Sequence, residues 1–255
     1  MTAAQTNPAK LTEYRQRRRA CSNCALHCLC FPPSLYDGRR HLEELNLRQR
    51  WIKQGDHLFL SGQRLRSLFV VRVGSVKCYD LSPAGDTMVM GFRFPGELVG
   101  LDALDAGVHA GYVIGLEDTH YCEIPLSTLH RLQNSRLELR QLVTQLLCRV
   151  LADVRSLLQV IRHLDARARL AWFLLNLASR LTGQETIKCE FRLSMDRNDI
   201  ANYLGLTIGT VSRTLTDYQK AGILSARGKS IQIFDVRALR KLSGSDPAVI
   251  SLAKH

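Results

Sequence analysis

The sequence lacks several features that would assign it to a large class of proteins. None of its apolar runs approaches the roughly 18 residues needed to span a bilayer, and the basic segment Arg15–Arg19 is followed by no apolar stretch of the secretory type. We therefore expect a chain of the cytoplasm, with no membrane partner. The sequence also has no phosphate-cradling glycine loop, no HExxH pair and no evident pairing of a nucleophile with a base. These absences disfavour an enzyme.

Acidic residues are fewer than basic ones, and the imbalance is local. The chain has 35 Lys and Arg against 23 Asp and Glu, a formal net charge of +12. Residues 167–255 hold 14 cations and 7 anions, whereas residues 31–166 hold 16 and 15. A local basic excess is typical of a polyanion-binding surface, so the C-terminal third is the candidate. Charge alone fits a merely basic soluble surface equally well.

Cysteine is concentrated near the N-terminus. Four of the eight cysteines fall within ten residues, namely Cys21, Cys24, Cys28 and Cys30. Because the cytosol keeps thiols reduced, a disulfide framework is a poor explanation, and the spacing suggests a metal or cluster site. Cys78, Cys148 and Cys189 have apolar surroundings in the sequence, and we expect them to be small buried hydrophobic side chains.

Short β-prone runs separated by glycine extend from Trp51 to about Cys122. The runs are Leu58–Leu60, Leu68–Val73, Ser75–Tyr79, Met88–Phe92 and Tyr112–Leu116. The intervening turns fall at Gly55, Gly62, Gly74, Gly85, Gly96 and Gly107. Short strands at regular spacing with glycine turns predict an antiparallel roll or barrel.

A long helix is predicted next, because no Gly or Pro occurs between Leu137 and Leu164. One apolar stripe is a heptad seam, formed by Leu147, Leu151, Val154, Leu158 and Ile161. A second stripe beside it consists of Val143, Leu146, Val150, Leu157 and Leu164. A helix that is apolar on two faces must be covered twice. We expect the seam to pair with the same helix of a second subunit, and burial within a monomer is the alternative.

Two short helices separated by a glycine are predicted in the basic C-terminal third, after an amphipathic helix over Ala166–Thr182. The first spans Asp196–Leu204, Gly205 takes the tight turn, and Thr207 caps the second over Ile208–Lys220. This arrangement is the helix-turn-helix pattern.

The outward residues near the start of the second helix are Gly209, Thr210, Ser212 and Arg213. In a helix-turn-helix this face enters the major groove, where Arg213 can donate two hydrogen bonds to guanine. Arg227–Lys229, between two β-prone runs, predicts a basic wing suited to phosphate contact. A helical hairpin used only for packing is the alternative, but the basic bias, Arg213 and the wing favour double-stranded DNA as the partner.

Further motifs support a resemblance over most of the chain. They are Gly55–Gly62, Phe94–Gly100, Cys122–Pro125, Phe191–Ser194, Asp199–Leu204 and Gly205–Arg213. In this order they resemble the CRP/FNR superfamily, and within it the FNR branch of fumarate-and-nitrate-reduction regulators, from about Cys21 to about Ile233. The resemblance implies an α+β fold with an N-terminal cyclic-nucleotide-binding-type β-roll, a long dimerisation helix and a C-terminal winged helix-turn-helix. The expected division is a cysteine-rich arm at 1–30, a roll sensor domain at 31–136, a dimerisation helix at 137–165 and a DNA-binding domain at 166–255.

The FNR branch senses oxygen through a 4Fe-4S iron–sulfur cluster held by three arm cysteines and one in the roll. By this resemblance Cys21, Cys24 and Cys30 match the arm ligands and Cys122 matches the fourth. The resemblance leaves Cys28 without a role. A structural zinc on the four arm cysteines, Cys28 included, is an alternative that does not use Cys122. A different signal with the same DNA-binding role also stays open, either thiol oxidation or heme with NO or CO on an axial His27, His41 or His57.

The sequence departs from the family pattern at three places. Residues 107–112 contain no arginine to clamp a cyclic phosphate, so we expect no cyclic nucleotide, and we expect Glu97 to serve a turn. Gly209 stands where the family usually has a glutamate, which can accept from cytosine N4. Val154 stands where an acidic residue interrupts the FNR seam, with Asp153 one step away. We therefore expect the protein without its iron–sulfur cluster to dimerise more readily than a seam with a buried carboxylate would allow.

The resemblance also implies a partner and an operator. The loop Ser82–Met90 corresponds to one that touches RNA polymerase in the family. We expect a palindromic operator related to TTGAT-N4-ATCAA, with altered discrimination because of Gly209.

Overall fold

A computed structural model describes residues 48–135, 137–182 and 189–244. Within these ranges the chain forms a β-roll, a long helix and a winged helix-turn-helix, so the expected α+β architecture is confirmed. None of the described helices is long and apolar enough to cross a membrane.

Eight antiparallel strands build the roll. They are β1 (Arg48–Ile52), β2 (His57–Phe59), β3 (Ser67–Val73), β4 (Val76–Leu81), β5 (Thr87–Arg93), β6 (Leu98–Val99), β7 (Tyr112–Gly115) and β8 (Thr119–Pro125). One sheet has the order β1-β8-β3-β6 and the other the order β2-β7-β4-β5, which leaves β5 at an edge. Apolar side chains fill the interior of the roll, namely Phe59, Val71, Val76, Val99 and Val113.

Glycine positions the turns as the sequence predicts, since all six expected turn glycines have a positive φ angle. Gly74 shows most clearly why no other residue fits. Its φ is +86°, and a Cβ there would lie 2.6 Å from the backbone oxygen of Asp118. Both the backbone conformation and the available space therefore require glycine at this turn, which links the two sheets of the roll.

Six helices and three further strands follow within the described ranges. The helices are α1 (Leu126–Ser135), α2 (Leu137–His163), α3 (Ala166–Thr182), α4 (Arg197–Leu204), α5 (Ile208–Lys220) and α6 (Val236–Leu242). The strands are β9 (Cys189–Arg192), β10 (Leu224–Arg227) and β11 (Ser230–Ile233), in the sheet order β10-β11-β9.

The two apolar stripes of α2 have different surroundings. Val143, Leu146 and Val150 pack on the roll, and Leu157 and Leu164 pack on the C-terminal core, so this chain covers the second stripe itself. The seam is largely uncovered: Leu147 is 41% exposed, Leu151 70%, Val154 50% and Leu158 55%, and Ile161 is half-buried. The described part of the chain therefore does not bury the seam.

The C-terminal core extends into the roll. Val89 and Phe92 of β5, and Phe94 beyond it, belong to the same apolar cluster as Phe173 of α3 and Ile200 of α4. The winged helix-turn-helix therefore packs against the edge strand of the roll.

Candidate nucleic-acid interface

The first helix of the motif, α4, is fixed at both ends by local hydrogen bonds. The Asp196 carboxylate caps it by accepting from the Asp199 amide at 2.7 Å. At its other end Gly205 takes φ 62° and ψ 41°, and its amide donates to the carbonyls of Ala201 and Asn202. Such a left-handed residue ends a helix and turns the chain sharply. The predicted helix is confirmed, with Asp196 as its cap.

The second helix, α5, begins at the predicted cap. The Thr207 hydroxyl accepts from the Thr210 amide at 3.1 Å. Its inner face buries Val211, Leu215 and Tyr218, as expected. The Tyr218 hydroxyl donates to the Arg167 carbonyl at 2.6 Å, and burial raises the pKa of Tyr218 to about 12. This bond fastens the back of α5 to α3.

The outer face of α5 is accessible. Thr207, Gly209 and Arg213 are exposed, and Thr210 and Ser212 are half-buried. A Cβ added at Gly209 would meet only the Thr207 hydroxyl oxygen, at 3.9 Å. Gly209 therefore leaves a gap on this face one turn before Arg213, and no close packing within the described chain requires it.

Arg197 joins this surface, although the sequence pattern did not single it out. It occupies the first position of α4, and its guanidinium Nη1 lies 3.1 Å from the Ser212 hydroxyl. Within the described residues no carboxylate forms an ion pair with it. In a helix-turn-helix the first helix crosses the DNA backbone, so the start of α4 is a position from which a cation can reach a phosphate. Its position at the start of the first predicted helix was the available signal.

The wing is the predicted hairpin of β10 and β11. Arg227, Gly228 and Lys229 form its tip, where Gly228 has φ 60°. The Lys229 ammonium donates to the Ser194 carbonyl at 2.8 Å. One of the two basic side chains of the tip thus ties the wing to the segment before α4, while Arg227 is exposed.

One arginine that sequence reasoning missed connects three helices. Arg169 of α3 donates to the Ile161 carbonyl at 2.6 Å, to the Leu164 carbonyl at 2.9 Å and to the Leu204 carbonyl at 3.1 Å. These carbonyls lie at or just beyond the C-terminal ends of α2 and α4, where helices have orphan acceptors. Arg169 therefore joins the seam helix to the helix-turn-helix.

Comparison with known proteins identifies this arrangement. A family model described as a Crp-like helix-turn-helix domain matches residues 168–242, and one described as a cyclic nucleotide-binding domain matches residues 49–136. Electron transport regulator A of Shewanella oneidensis is 35% identical over 243 residues, which cover 92% of this chain and 97% of that protein. The fumarate and nitrate reduction regulatory protein of Escherichia coli is 37% identical over 236 residues, 89% of this chain and 94% of that protein.

The chain belongs to the CRP/FNR family. It is a DNA-binding transcription regulator of the FNR type, and the expectation that it is not an enzyme is confirmed because its relatives are transcription regulators. Among solved structures, FixK2 from Bradyrhizobium japonicum matches with a TM-score of 0.71 at 23% identity, over 78% of this chain and 98% of that one. At that identity the match supports the fold alone.

The cysteines of this CRP/FNR protein are only partly described. Cys21, Cys24, Cys28 and Cys30 lie outside the described residues, as do His27 and His41. Cys122 is buried on β8, in the apolar cluster that α2 covers with Val143, Leu146 and Val150. Within the described ranges no group of three or more potential metal ligands occurs.

The expectation for the remaining cysteines is correct in part. Cys189 is buried and Cys78 is half-buried, and burial raises the pKa of both thiols. Cys148 is exposed, so the expectation of a buried side chain is wrong there. It lies on a flank of α2 next to the exposed seam residue Leu147, where apolar sequence neighbours do not mean burial in the same chain.

In the part of the roll that matches the cyclic nucleotide-binding domain, Glu97 and His57 are hydrogen-bonded to other residues of the chain. The Glu97 carboxylate accepts from the Phe94 amide at 3.1 Å, as expected of a turn residue. It also accepts two hydrogen bonds from the guanidinium of Arg180 on α3, at 2.6 and 2.8 Å. Burial acts to raise the pKa of Glu97, but the Arg180 guanidinium outweighs it and lowers that pKa below its ordinary value. His57 is hydrogen-bonded to the Tyr79 hydroxyl at 2.8 Å.

Proposed function

We propose that this regulator binds a palindromic operator as a homodimer and that a 4Fe-4S cluster makes this binding respond to oxygen or redox state. Its site of action is then the cytoplasm, where the DNA lies. The observation that carries the proposal is the position of Cys122. It is buried in the same apolar cluster as Val143, Leu146 and Val150 of α2, so its surroundings are continuous with the helix that bears the exposed seam.

DNA reading in this proposal uses the outer face of α5. Arg213 contacts a guanine, and Ser212 and Thr210 reach base edges or phosphates. Thr207, at the start of the helix, lies near the sugar–phosphate backbone of the DNA. The exposure of this face and the buried residues behind it support the assignment. Gly209 supplies no side chain, so we expect weaker discrimination at the base pair that a glutamate would read.

Dimerisation in this proposal uses the seam. Leu147, Leu151, Val154, Leu158 and Ile161 form one apolar line on α2 that the described chain leaves mostly exposed. A second copy of α2 at heptad register covers such a line. The pairing places two copies of α5 on one face of the DNA, which suits a palindrome.

The ligands we assign to the cluster are Cys21, Cys24, Cys30 and Cys122. Among them Cys122 is described, and its buried, apolar surroundings fit a thiolate ligand shielded from water. When bound, the cluster supplies oxygen-labile redox chemistry. The chain's own contribution is the tie between the N-terminal arm and β8, next to α2. Loss of that tie changes the surroundings of Val143, Leu146 and Val150 and hence the position of the seam.

Contact with RNA polymerase through the hairpin loop is a further part of the proposal. The expected segment Ser82–Met90 is a turn only as far as Asp86, because β5 begins at Thr87. The Ser82 hydroxyl accepts from the amides of Ala84 and Asp86, which holds the turn in an ordered, exposed form.

The first test of the proposed function is the composition of the protein purified without air. Iron and acid-labile sulfide are assayed with the visible absorption spectrum, on the wild type and on Cys30→Ala, Cys122→Ala and, as a matched control, Cys148→Ala. We expect a coloured iron–sulfur protein that bleaches in air, loss of the cluster in the first two variants and retention in the third. A colourless zinc protein, a heme spectrum or a metal-free protein would overturn the proposal of an iron–sulfur cluster, while the proposal of DNA binding would stand.

A further inference from the structure

An asparagine on the first helix of the DNA-binding motif forms two hydrogen bonds to the edge of the roll. The Asn202 amide on α4 accepts from the Val89 backbone N–H at 2.7 Å and donates to the Thr87 carbonyl at 2.7 Å. Thr87 and Val89 lie on β5, an edge strand whose outward backbone groups face no other strand among the described residues. Asn202 therefore satisfies a donor and an acceptor of the roll from the DNA-binding domain.

An ion pair on the same face of α4 strengthens this attachment. The Lys77 ammonium on β4 lies 2.6 Å from the Asp199 carboxylate, and both side chains are largely buried. Asp199 and Asn202 are three residues apart, so they stand side by side on the helix. The two contacts reach adjacent strands of one hairpin.

Apolar packing and a second ion pair extend the same junction. The ring of Phe92 on β5 lies 5.4 Å from that of Tyr203 and 6.2 Å from that of Phe173, measured between centroids. Arg180 of α3 donates to the Phe92 carbonyl at 2.8 Å while it pairs with Glu97. The junction thus combines a cluster of three aromatic rings with the polar contacts made by Asn202, Asp199 and Arg180.

The junction does not cover the DNA-reading surface. Thr207, Gly209 and Arg213 remain exposed while α4 is docked on the hairpin. Docking therefore fixes the orientation of α5 without masking it. A reader whose orientation is fixed in advance loses less freedom on binding DNA, and this raises affinity.

We propose that Asn202 and the Lys77–Asp199 pair are positioning residues for operator binding, which hold the DNA-reading motif and the β4–β5 hairpin as one body in the orientation that suits a palindrome. The inference rests on the dimeric operator binding proposed above, but the docking itself is measurable without DNA. It also means that a displacement of the hairpin moves α5.

The docking is tested by hydrogen exchange of the full-length protein, followed in peptides that contain Val89. Asn202→Ala removes the acceptor of the Val89 N–H, and Asn198→Ala changes another exposed asparagine of α4 as the control. We expect exchange at Val89 to rise about fivefold in the first variant, as for the loss of a bond of about 1 kcal/mol, and to stay unchanged in the second. Equal exchange in wild type and Asn202→Ala would overturn the docking.

The consequence for DNA is tested from the roll side, away from the reading face. Lys77→Gln breaks the ion pair, and Lys53→Gln removes the same charge from an exposed lysine of the roll. Affinity is measured for a full palindrome and for a single half-site. We expect Lys77→Gln to weaken palindrome binding about fivefold or more relative to Lys53→Gln, with a much smaller change on the half-site.

Three results would overturn the positioning role. They are equal palindrome affinity in the two lysine variants, a higher affinity in Lys77→Gln, and a loss that is the same on the half-site as on the palindrome. The half-site comparison separates a positioning role from simple instability of the DNA-binding motif. A motif that unfolds loses affinity for the half-site as well as for the palindrome. If wild-type protein binds no palindrome, the proposed function fails while the exchange result still decides the docking.

Discussion

At the scale of single residues, the proposed reading face has two arginines, one expected to enter the groove and one expected to lie at its border. Arg213 stands on the outer face of α5, and Arg197 reaches the same face from α4 through Ser212. A base contact and a phosphate contact have different signatures, because phosphate binding releases counterions whatever the sequence. The two arginines should therefore differ in how their loss affects DNA binding.

We expect Arg197→Ala to weaken binding to all sequences alike and to reduce the slope of log affinity against log salt by about 0.9. Arg213→Ala should instead reduce discrimination at one base pair of each half-site, by about 1–3 kcal/mol. Fluorescence anisotropy with operator variants at several salt concentrations measures both. A sequence-dependent loss in Arg197→Ala would contradict its assignment to phosphate.

Gly209 offers a second test at this scale. A Cβ there would have no close contact and Gly209 is not among the glycines with a positive φ, so alanine fits the helix without strain. Because glycine weakens a helix relative to alanine, Gly209→Ala should stabilise the protein by about 0.5–1 kcal/mol and raise the melting temperature by roughly 1–4 °C. A lower melting temperature in thermal unfolding would show that the position needs glycine for a reason within the folded chain.

At the scale of elements, the sequence predicts the helix bounds and turns, because interactions between residues close in the chain determine them. The bounds of α3 and α5 agree with those predicted from apolar spacing and from the Thr207 cap, and the turn glycines are correct. Strands β1, β6 and β8 are not among the predicted runs. Strand β1 is polar and mostly exposed, β6 has only two residues, and β8 mixes polar residues with apolar ones along its length. The pattern that predicts a strand is weak in each of these cases.

Contacts between distant elements left no local signal. Asn202 and Val89 are separated by 113 residues, and an asparagine on an exposed helix face resembles an ordinary surface residue. Arg169 likewise resembles a solvated charge on an amphipathic helix, although it bonds to carbonyls at the ends of α2 and α4. The reading face was predictable from its own pattern, whereas the groups that hold it in place were not.

The seam of α2 gives the prediction that belongs to this scale. Leu151→Asp places a carboxylate in the middle of the proposed helix pair, where burial without a partner is costly. We expect sedimentation at micromolar concentration to show a monomer, while circular dichroism stays unchanged because Leu151 is 70% exposed in the single chain. Leu81→Asp, at another exposed leucine, is the control and should leave the dimer intact. A Leu151→Asp protein that remains dimeric would place the interface elsewhere.

At the scale of the whole molecule, the described contacts form a continuous path from the roll to the reading helix. Cys122 shares an apolar cluster with α2, Arg169 joins the end of α2 to α3 and α4, and Asn202 joins α4 to the β4–β5 hairpin. Packed groups therefore connect both Cys122, the proposed iron–sulfur ligand, and the β4–β5 hairpin to α5. This continuity suits a regulator in which one site sets the affinity of another.

The central claim is that the state of the cysteine site controls operator binding, and one measurement tests it most directly. Affinity for a palindromic duplex is determined on one sample prepared without air, before and after exposure to oxygen, with Cys122→Ala treated identically. We expect oxygen to weaken the binding of wild type by about 5–150-fold, the usual range of such coupling. Cys122→Ala should bind weakly in both conditions. Equal affinity of the wild type before and after oxygen would contradict the account and leave a DNA-binding protein with another signal.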